Sequence, residues 1–326
     1  MSKHIHFILA LAIVLLMPLC MQSGSLATEV LIFSLAAMGC NLLLGYTGLL
    51  SFGQGIFFGL GSYTIGILLT RWALPVPLAL VCAVLMGAAG AALVGWVAIR
   101  QRGTYFVMLT LAFAQMFYFV AYSATSLTGG DNGLLDVPRP DIGPWSLQSP
   151  WQFYSLVAVL FLIAFWLLRR VCDSMFGRTL LAVRDNEERA AAVGYNLQLL
   201  KLQAFVVSGA VTGLAGGLHA MMAGIAPLSN AEYHTSEIIL LMTVIGGTGN
   251  LLASVLGAAF YVLLGDWLST LWPRWLMLLG VVLMVISLGM QRGLWGLGEM
   301  LWQWVRPSKA PAPTPTPSTT RVGEHA

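Results

Sequence analysis

The side chains that could do chemistry inside the apolar stretches of this sequence are neutral hydrogen-bonding groups. They fall near the middles of separate apolar runs: Asn41, Gln54, Gln115, Ser208, Thr212 and Thr243. Amides and hydroxyls exchange hydrogen bonds with a passing solute, but at neutral pH they neither take up nor release protons. The chain also lacks the motifs GxxxxGK[ST], HExxH, CxxC and GxSxG. The pattern predicts a path for a solute and a chain that is not an enzyme, without catalytic residues, metal or cofactor of its own.

The few charged groups in apolar surroundings do not form an ion-coupling site. Glu29, Glu237 and Asp266 stand at the ends of apolar runs. A carboxylate at the bilayer centre costs about 2.5–3.5 kcal/mol, so an interfacial position is favoured for each. His219 has two interpretations, a proton relay or a packing residue near the end of a span, and packing is favoured. If this chain takes part in uphill transport, the energy must therefore come from another protein.

One long, charged, helix-forming stretch separates the apolar runs, and we call residues 177–194 the coupling segment. Its sequence is GRTLLAVRDNEERAAAVG. Asn186 is placed to cap a helix, and Glu187 and Glu188 follow in its first turn, where carboxylates complement the helix dipole. Gly194 stands where a helix C-terminal glycine is expected. A helix of roughly two turns does not persist alone in water, so this one is expected to dock on a partner.

Composition places the chain in an all-α, polytopic membrane class. Of its 326 residues, 58% are hydrophobic and only 9% are charged, whereas soluble domains carry about 25% charged residues. The net charge of +3 gives no indication of a nucleic-acid partner. We expect a transmembrane domain over residues 1–306, a cytosolic loop at residues 169–201, and a disordered Pro/Thr-rich tail at residues 307–326.

Apolar runs predict about eight to ten spans in contact with membrane lipid. They are residues 7–20, 28–44, 56–69, 75–99, 105–122, 151–168 and 202–223, a broken segment at 237–266, and 275–290. Residues 169–201 carry six Lys or Arg residues, which places this loop and the N-terminus in the cytoplasm. The C-terminus is also cytoplasmic if residues 237–266 return to the face they enter from, and external if they cross fully. The first alternative is favoured.

Two segments share one pattern, an apolar run followed by a glycine-polar-glycine break and a helix of small residues. The first spans residues 31–69 with its break at 45–55, and the second spans 238–264 with its break at 246–250. For the second we expect two half-helices that meet near the membrane midplane. An internal duplication with the solute path between the repeats would explain the pattern. Glycine is also common in membrane helices, so a chance match stays open.

Three motifs in this order resemble one protein family. They are GYTGLLSFGQGIFFGLGSY (45–63), GRTLLAVRDNEERAAAVGYN (177–196) and MTVIGGTGNLLASVLGA (242–258). They are similar to the M-type permease subunits of branched-chain amino acid ABC importers, and the similarity runs over residues 28–300. The resemblance implies a type II-like importer permease in a bacterial inner membrane. Its partners would be an H-type permease, two ATPases that hold ATP and Mg²⁺, and a periplasmic binding protein.

The resemblance also implies roles for individual residues. The coupling segment would contact an ATPase through Gly177, Arg178, Glu187, Glu188, Ala190, Ala191 and Gly194. The usual motif has Ala directly after the glutamate at the position of Glu188, whereas this chain has Arg189. This departure bears on which ATPase is the partner.

Two further hypotheses concern the solute path and the outer face. Neutral polar groups at the glycine breaks would line the path: Tyr46, Thr47, Ser51, Gln54, Thr243, Thr248 and Asn250. The predicted outer loop would meet the binding protein through Gly129, Gly130, Asp131, Asn132 and Gly133. Aliphatic amino acids are the favoured substrates, and urea, short amides and aromatic acids are alternatives. A stand-alone ion-coupled carrier and a channel subunit are the competing classes.

Overall fold

The computed structural model describes residues 3–21, 23–140, 146–272, 274–289 and 293–296. The predicted tail at residues 307–326 lies outside these ranges. The α-helices are α1 (Lys3–Cys20), α2 (Gly24–Asn41), α3 (Gln54–Thr70), α4 (Val76–Ala98), α5 (Thr104–Ser123), α6 (Thr125–Thr128), α7 (Pro150–Asp173), α8 (Met175–Asp185), α9 (Glu187–Ala192), α10 (Leu197–Ala223), α11 (Tyr233–Gly246), α12 (Leu251–Leu271) and α13 (Trp275–Gly289). A π-helical turn, Leu42–Thr47, continues α2, and short 3-10 turns cover Gly130–Asn132 and Leu228–Ala231.

The prediction of a polytopic helical protein is confirmed. Six helical segments in the described ranges are long and apolar enough to cross a bilayer: Gly24–Thr47, Val76–Ala98, Thr104–Ser123, Pro150–Asp173, Leu197–Ala223 and Leu251–Leu271. Three shorter apolar helices cover Phe7–Pro18, Gln54–Thr70 and Trp275–Met284. The described residues thus contain nine apolar helices, of which six are long enough to span, against the expected eight to ten spans.

Helix α10 lies at the centre of the fold and packs against α2, α3 and α4. Its closest approach to α4 is backbone against backbone. A Cβ atom built on Gly87 would lie 2.9 Å from the Cα atom of Gly213, and one on Gly213 would lie 2.9 Å from the Cα atom of Gly87. Because real Cβ atoms essentially never come within 3.0 Å of another heavy atom, this contact requires glycine at both positions. In lipid the hydrophobic effect does not drive helices together, so they associate through the close van der Waals contact that small residues permit.

The second glycine break differs from its prediction. Residues 237–266 do not form two half-helices of one span. Instead, α11 and α12 pack side by side, because Gly246 near the end of α11 faces Gly257 of α12. Such close contact between helices joined by a four-residue connection makes an antiparallel hairpin. Moreover, α12 is long enough to span by itself. The chain therefore turns back at the break, and the side of the C-terminus stays a prediction.

The predicted cytosolic loop at residues 169–201 is also more ordered than a loop. Helix α7 extends to Asp173, α8 and α9 follow, and α10 already begins at Leu197. Leu180 and Val183 of α8 are buried, because the amphipathic pattern of α8 gives it one apolar face. The connection is thus a pair of short helices that lie against the ends of the long ones.

Candidate coupling surface and solute path

The local features predicted for the coupling segment are confirmed. The Asn186 side-chain oxygen accepts a hydrogen bond from the backbone N–H of Arg189 at 2.9 Å, so it caps α9. Gly194 follows the helix with φ +96° and has open space around it. This backbone conformation favours glycine, and the absence of a side chain leaves room beside the end of the helix.

The residues assigned to ATPase contact fall into two groups. Arg178, Glu188, Ala191 and Gly194 are exposed. Gly177 and Ala190 are buried, and Glu187 is half-buried. A Cβ atom on Gly177 would collide with the backbone of Cys172, so this glycine lets α8 fold closely against the end of α7. The exposed group stays a predicted contact surface, and the buried group holds the segment on its own chain.

Glu187 points towards its own chain and forms an ion pair with Lys201 of α10. The Lys201 ammonium lies 2.5 Å from Glu187 Oε1, and the Lys201 side chain is only 7% exposed against 34% for Glu187. On its other side Glu187 lies 3.9 Å from Arg102, whose side chain is 76% exposed. The pair therefore fastens α9 to the beginning of α10, and the sequence showed Lys201 only as one of the positive charges of this loop.

Replacement of Glu187 by alanine should destabilise the protein more than replacement of Lys201 by methionine. The first leaves a buried ammonium without a partner, whereas the second leaves a carboxylate that water still reaches. We expect a loss of about 1–3 kcal/mol for Glu187→Ala, and near-wild-type stability for the double variant Glu187→Gln with Lys201→Met. Thermal unfolding of the purified protein in detergent measures both. Arg102→Ala is the matched control and should change little; a smaller loss for Glu187→Ala than for Lys201→Met would contradict this account.

A second link from the coupling segment was missed at the sequence level. The guanidinium group of Arg184, in α8, donates from Nη1 to the carbonyl oxygen of Gly45 in the first glycine break. A Cβ atom on Gly48 would lie 3.1 Å from Arg184 Cγ, so the side chain also packs against this break. Arg184 follows the buried residues Gly177 and Leu180 at helical spacing. That spacing is the signal that places Arg184 on the inner face of α8.

The two glycine breaks meet, and the buried Asn41 joins them. Its Nδ2 donates to the carbonyl of Asn250 at 2.8 Å and to Ser254 Oγ at 2.7 Å. Its Oδ1 accepts from the backbone N–H of Gly249 at 3.0 Å. The side chain of Asn41 lies at the C-terminal end of α2, directly before the π-helical turn, a form often found at functional sites. The two glycine breaks are therefore in contact, and the internal duplication stays a prediction.

The residues predicted to line the solute path lie in several surroundings. Gln54 is fully buried, donates to Ser208 Oγ at 3.0 Å and accepts from Thr212 Oγ1 at 2.8 Å, while Ser208 Oγ donates to the carbonyl of Gly39 at 2.6 Å. Thr47, Ser51 and Thr243 are also buried, and each makes a hydrogen bond to nearby backbone. Tyr46 and Asn250 line one small cleft, and Thr248 is exposed. The structure thus brings Tyr46 and Asn250 together, and it holds the amide of Gln54 in a network between α2, α3 and α10.

The predicted outer loop is fastened to the far end of α10. Asp131 and Asn132 are exposed at the tip, Gly129 is exposed beside them, and Gly130 and Gly133 are buried. Leu134 forms an antiparallel bridge with Ala226, and Val137 N–H donates to the carbonyl of Gly224 at 2.8 Å. The Arg139 guanidinium donates to the carbonyls of Met221 and Met222 in the last turn of α10. These contacts satisfy carbonyls that a helix end leaves without partners.

Comparison with known proteins gives one family and several relatives. The model of the family described as "Branched-chain amino acid transport system / permease component" matches residues 23–288. The high-affinity branched-chain amino acid transport system permease protein LivM of Escherichia coli K12 is 28% identical over 292 residues, which cover 82% of this chain and 69% of that protein. The LivM protein of Salmonella typhimurium LT2 is 27% identical over 314 residues, covering 88% and 74%.

A relative named for the import of another solute is also similar. The autoinducer 2 import system permease protein LsrC of Photorhabdus laumondii is 29% identical over 272 residues, which cover 78% of each chain. No solved structure matches.

Proposed function

This chain belongs to the family of permease components of branched-chain amino acid transport systems, and from that premise we propose that it forms half of the translocation path for aliphatic amino acids in an ABC importer. The family and the six long apolar helices make it an integral membrane transport subunit. An H-type permease would supply the other half of the path, two ATPases would supply the energy, and a periplasmic binding protein would deliver the substrate.

The observation that carries the proposal is the position of the coupling segment. Its exposed residues Glu188, Ala191 and Gly194 form a surface on α9 and directly after it, and an ion pair from α9 and a hydrogen bond from α8 fasten the segment to structures inside the permease. Glu187 holds Lys201 of α10, and Arg184 reaches Gly45 in the first glycine break. Small side chains permit close docking in a groove of a partner, and charges set its register. A movement of the docked helix would reach α10 and the glycine breaks directly.

Reconstitution with and without the partners tests this function. We expect ATP-dependent uptake of radiolabelled L-leucine into proteoliposomes only when the second permease, both ATPases and the binding protein are present. Urea, a short amide, an aromatic acid and autoinducer 2, supplied in excess, serve as competitors that test the alternative substrates. Accumulation by this chain alone under an ion gradient would show a secondary carrier, and leak of leucine without ATP would show a channel.

A further inference from the structure

A small polar cleft lies where the first glycine break, the end of α7 and the beginning of α12 meet. Its volume is about 110 Å³, and its lining includes Tyr46, Phe165, Arg169, Asp173, Asn250 and Leu252. A water molecule takes about 30 Å³ of liquid volume, so the cleft has room for a group of a few heavy atoms. Tyr46 belongs to the first break and Asn250 to the second, so the cleft lies between the two parts of the proposed path.

Arg169 is the unusual member of this lining, because its guanidinium group forms an ion pair with Asp173 and yet leaves one buried nitrogen unsatisfied. The side chain is only 16% exposed, and its Nε atom lies 3.6 Å from Asp173 Oδ2, which is longer than a hydrogen bond. Its Nη1 atom is buried and has no hydrogen-bond partner among the described residues. A buried donor nitrogen without a hydrogen bond is costly and requires an explanation, even where its charge is paired. A ligand with a negatively charged oxygen would supply one.

The other groups of the cleft define the rest of that ligand. Asn250 is the N-cap of α12 and Leu252 lies in the first turn of this 21-residue helix, whose N-terminus favours negative charge. Asp173 is 47% exposed and can accept from an ammonium group. Phe165 and Leu252 add an apolar side. A carboxylate, an ammonium and an aliphatic side chain together are the groups of a zwitterionic amino acid.

We propose that this cleft binds the head group of an α-amino acid, with Arg169 holding the carboxylate and Asp173 the ammonium group. The site would stand at the cytoplasmic end of the path, because α7 leads there into the predicted cytosolic loop. The substrate class of this site rests on the proposed function. What the site adds is a position at which the transported molecule binds transiently before it is released. Because such a site faces the cytoplasm, a high internal concentration of the same solute would occupy it and inhibit further uptake.

Inhibition of uptake by internal solute tests the site. The complete importer is reconstituted in proteoliposomes that contain L-leucine, 4-methylpentanoate (carboxylate only) or leucinol (ammonium only) at defined concentrations, and the initial rate of L-leucine uptake is measured. We expect internal L-leucine to inhibit most strongly, 4-methylpentanoate less, and leucinol least, because leucinol lacks the carboxylate that Arg169 would bind. Equal inhibition by all three, or none, would overturn the proposal.

Variants locate the effect at Arg169. Arg169→Gln should raise the concentration of internal L-leucine that gives half-maximal inhibition by about tenfold or more, since charge-assisted bonds to carboxylates are the stronger ones. Arg170→Gln is the matched control, because Arg170 is exposed and stacks over Trp166, and it should behave like the wild type. An unchanged inhibition curve in Arg169→Gln would overturn the assignment. If that variant does not assemble, the comparison of the three internal solutes in the wild type decides.

The outcomes separate this inference from the proposed function. If uptake requires ATP and all partners but the Arg169 variant is inhibited like the wild type, the proposed binding site is rejected and the proposed importer function is retained. Absence of L-leucine uptake by the full complex removes the proposed substrate and, with it, the site as stated.

Discussion

Replacement of Asn41 by leucine is expected to separate the two glycine breaks and to destabilise the protein strongly. Asn41 is fully buried, and its amide satisfies the carbonyl of Asn250, the hydroxyl of Ser254 and the N–H of Gly249. Leucine has a similar size but leaves these groups without partners. Each unsatisfied buried group costs about 1–3 kcal/mol, so the loss should rank among the largest that a single substitution causes here.

Thermal unfolding in detergent, together with the rate of proteolysis near residues 247–250, measures this effect. Gln115→Leu is the matched control, because Gln115 is an amide of α5 that is exposed in the isolated chain. It should leave the unfolding temperature near that of the wild type. If Asn41→Leu were as stable as the control, the hydrogen bonds of Asn41 would not hold the breaks together.

Replacement of Arg184 by glutamine is expected to uncouple ATP hydrolysis from transport. Arg184 connects α8, in the coupling segment, to the carbonyl of Gly45, and its stem packs against Gly48. Without the guanidinium fork, movement of α8 would no longer displace the first glycine break. The exposed surface of α9 would remain, so the ATPases should still dock and turn over.

The measurement is the number of solute molecules imported per ATP hydrolysed in the reconstituted complex. We expect uptake to fall by at least tenfold while ATP hydrolysis stays at or above the wild-type rate, because the variant removes one charge-assisted hydrogen bond of about 1.5–3 kcal/mol. Arg184→Lys keeps the charge without the planar fork and should recover uptake only in part. Parallel loss of hydrolysis and uptake would instead indicate a docking defect, and unchanged uptake would exclude this role.

The features that local chemistry controls were predictable from the sequence. The lengths of the apolar runs predict the long helices. About 20 residues are needed to cross a bilayer, and in lipid the backbone satisfies its hydrogen bonds by forming a helix. Asn186 was predicted as the cap of α9 because its side chain competes for a nearby N–H, and the structure confirms that bond at 2.9 Å. Gly194 was placed at a helix end because positive φ favours glycine, and it has φ +96°.

The features that depend on residues distant in the chain were not predictable in the same way. Asn41 appeared only as a neutral group in a span, since its partners lie more than 200 positions away. Arg184 and Lys201 appeared as charges that fix orientation, because the positive-inside pattern contains no information about which charge turns inward. The pattern at the second break predicts two half-helices of one span for a related reason: glycine marks where a helix stops but not the direction in which the next one leaves.

The contacts at the two ends of α10 have a mechanical consequence. This helix has 27 residues and is therefore about 40 Å long, close to the full thickness of a bilayer with its head groups. Lys201 fixes one end to α9, and Arg139 fixes the other end to the outer loop. Between these ends, tight glycine contacts with α3 and α4 and the hydrogen bonds of Ser208 and Thr212 with Gln54 hold the helix against its neighbours. A force applied to α10 at either membrane surface would therefore be transmitted along the helix to the opposite surface.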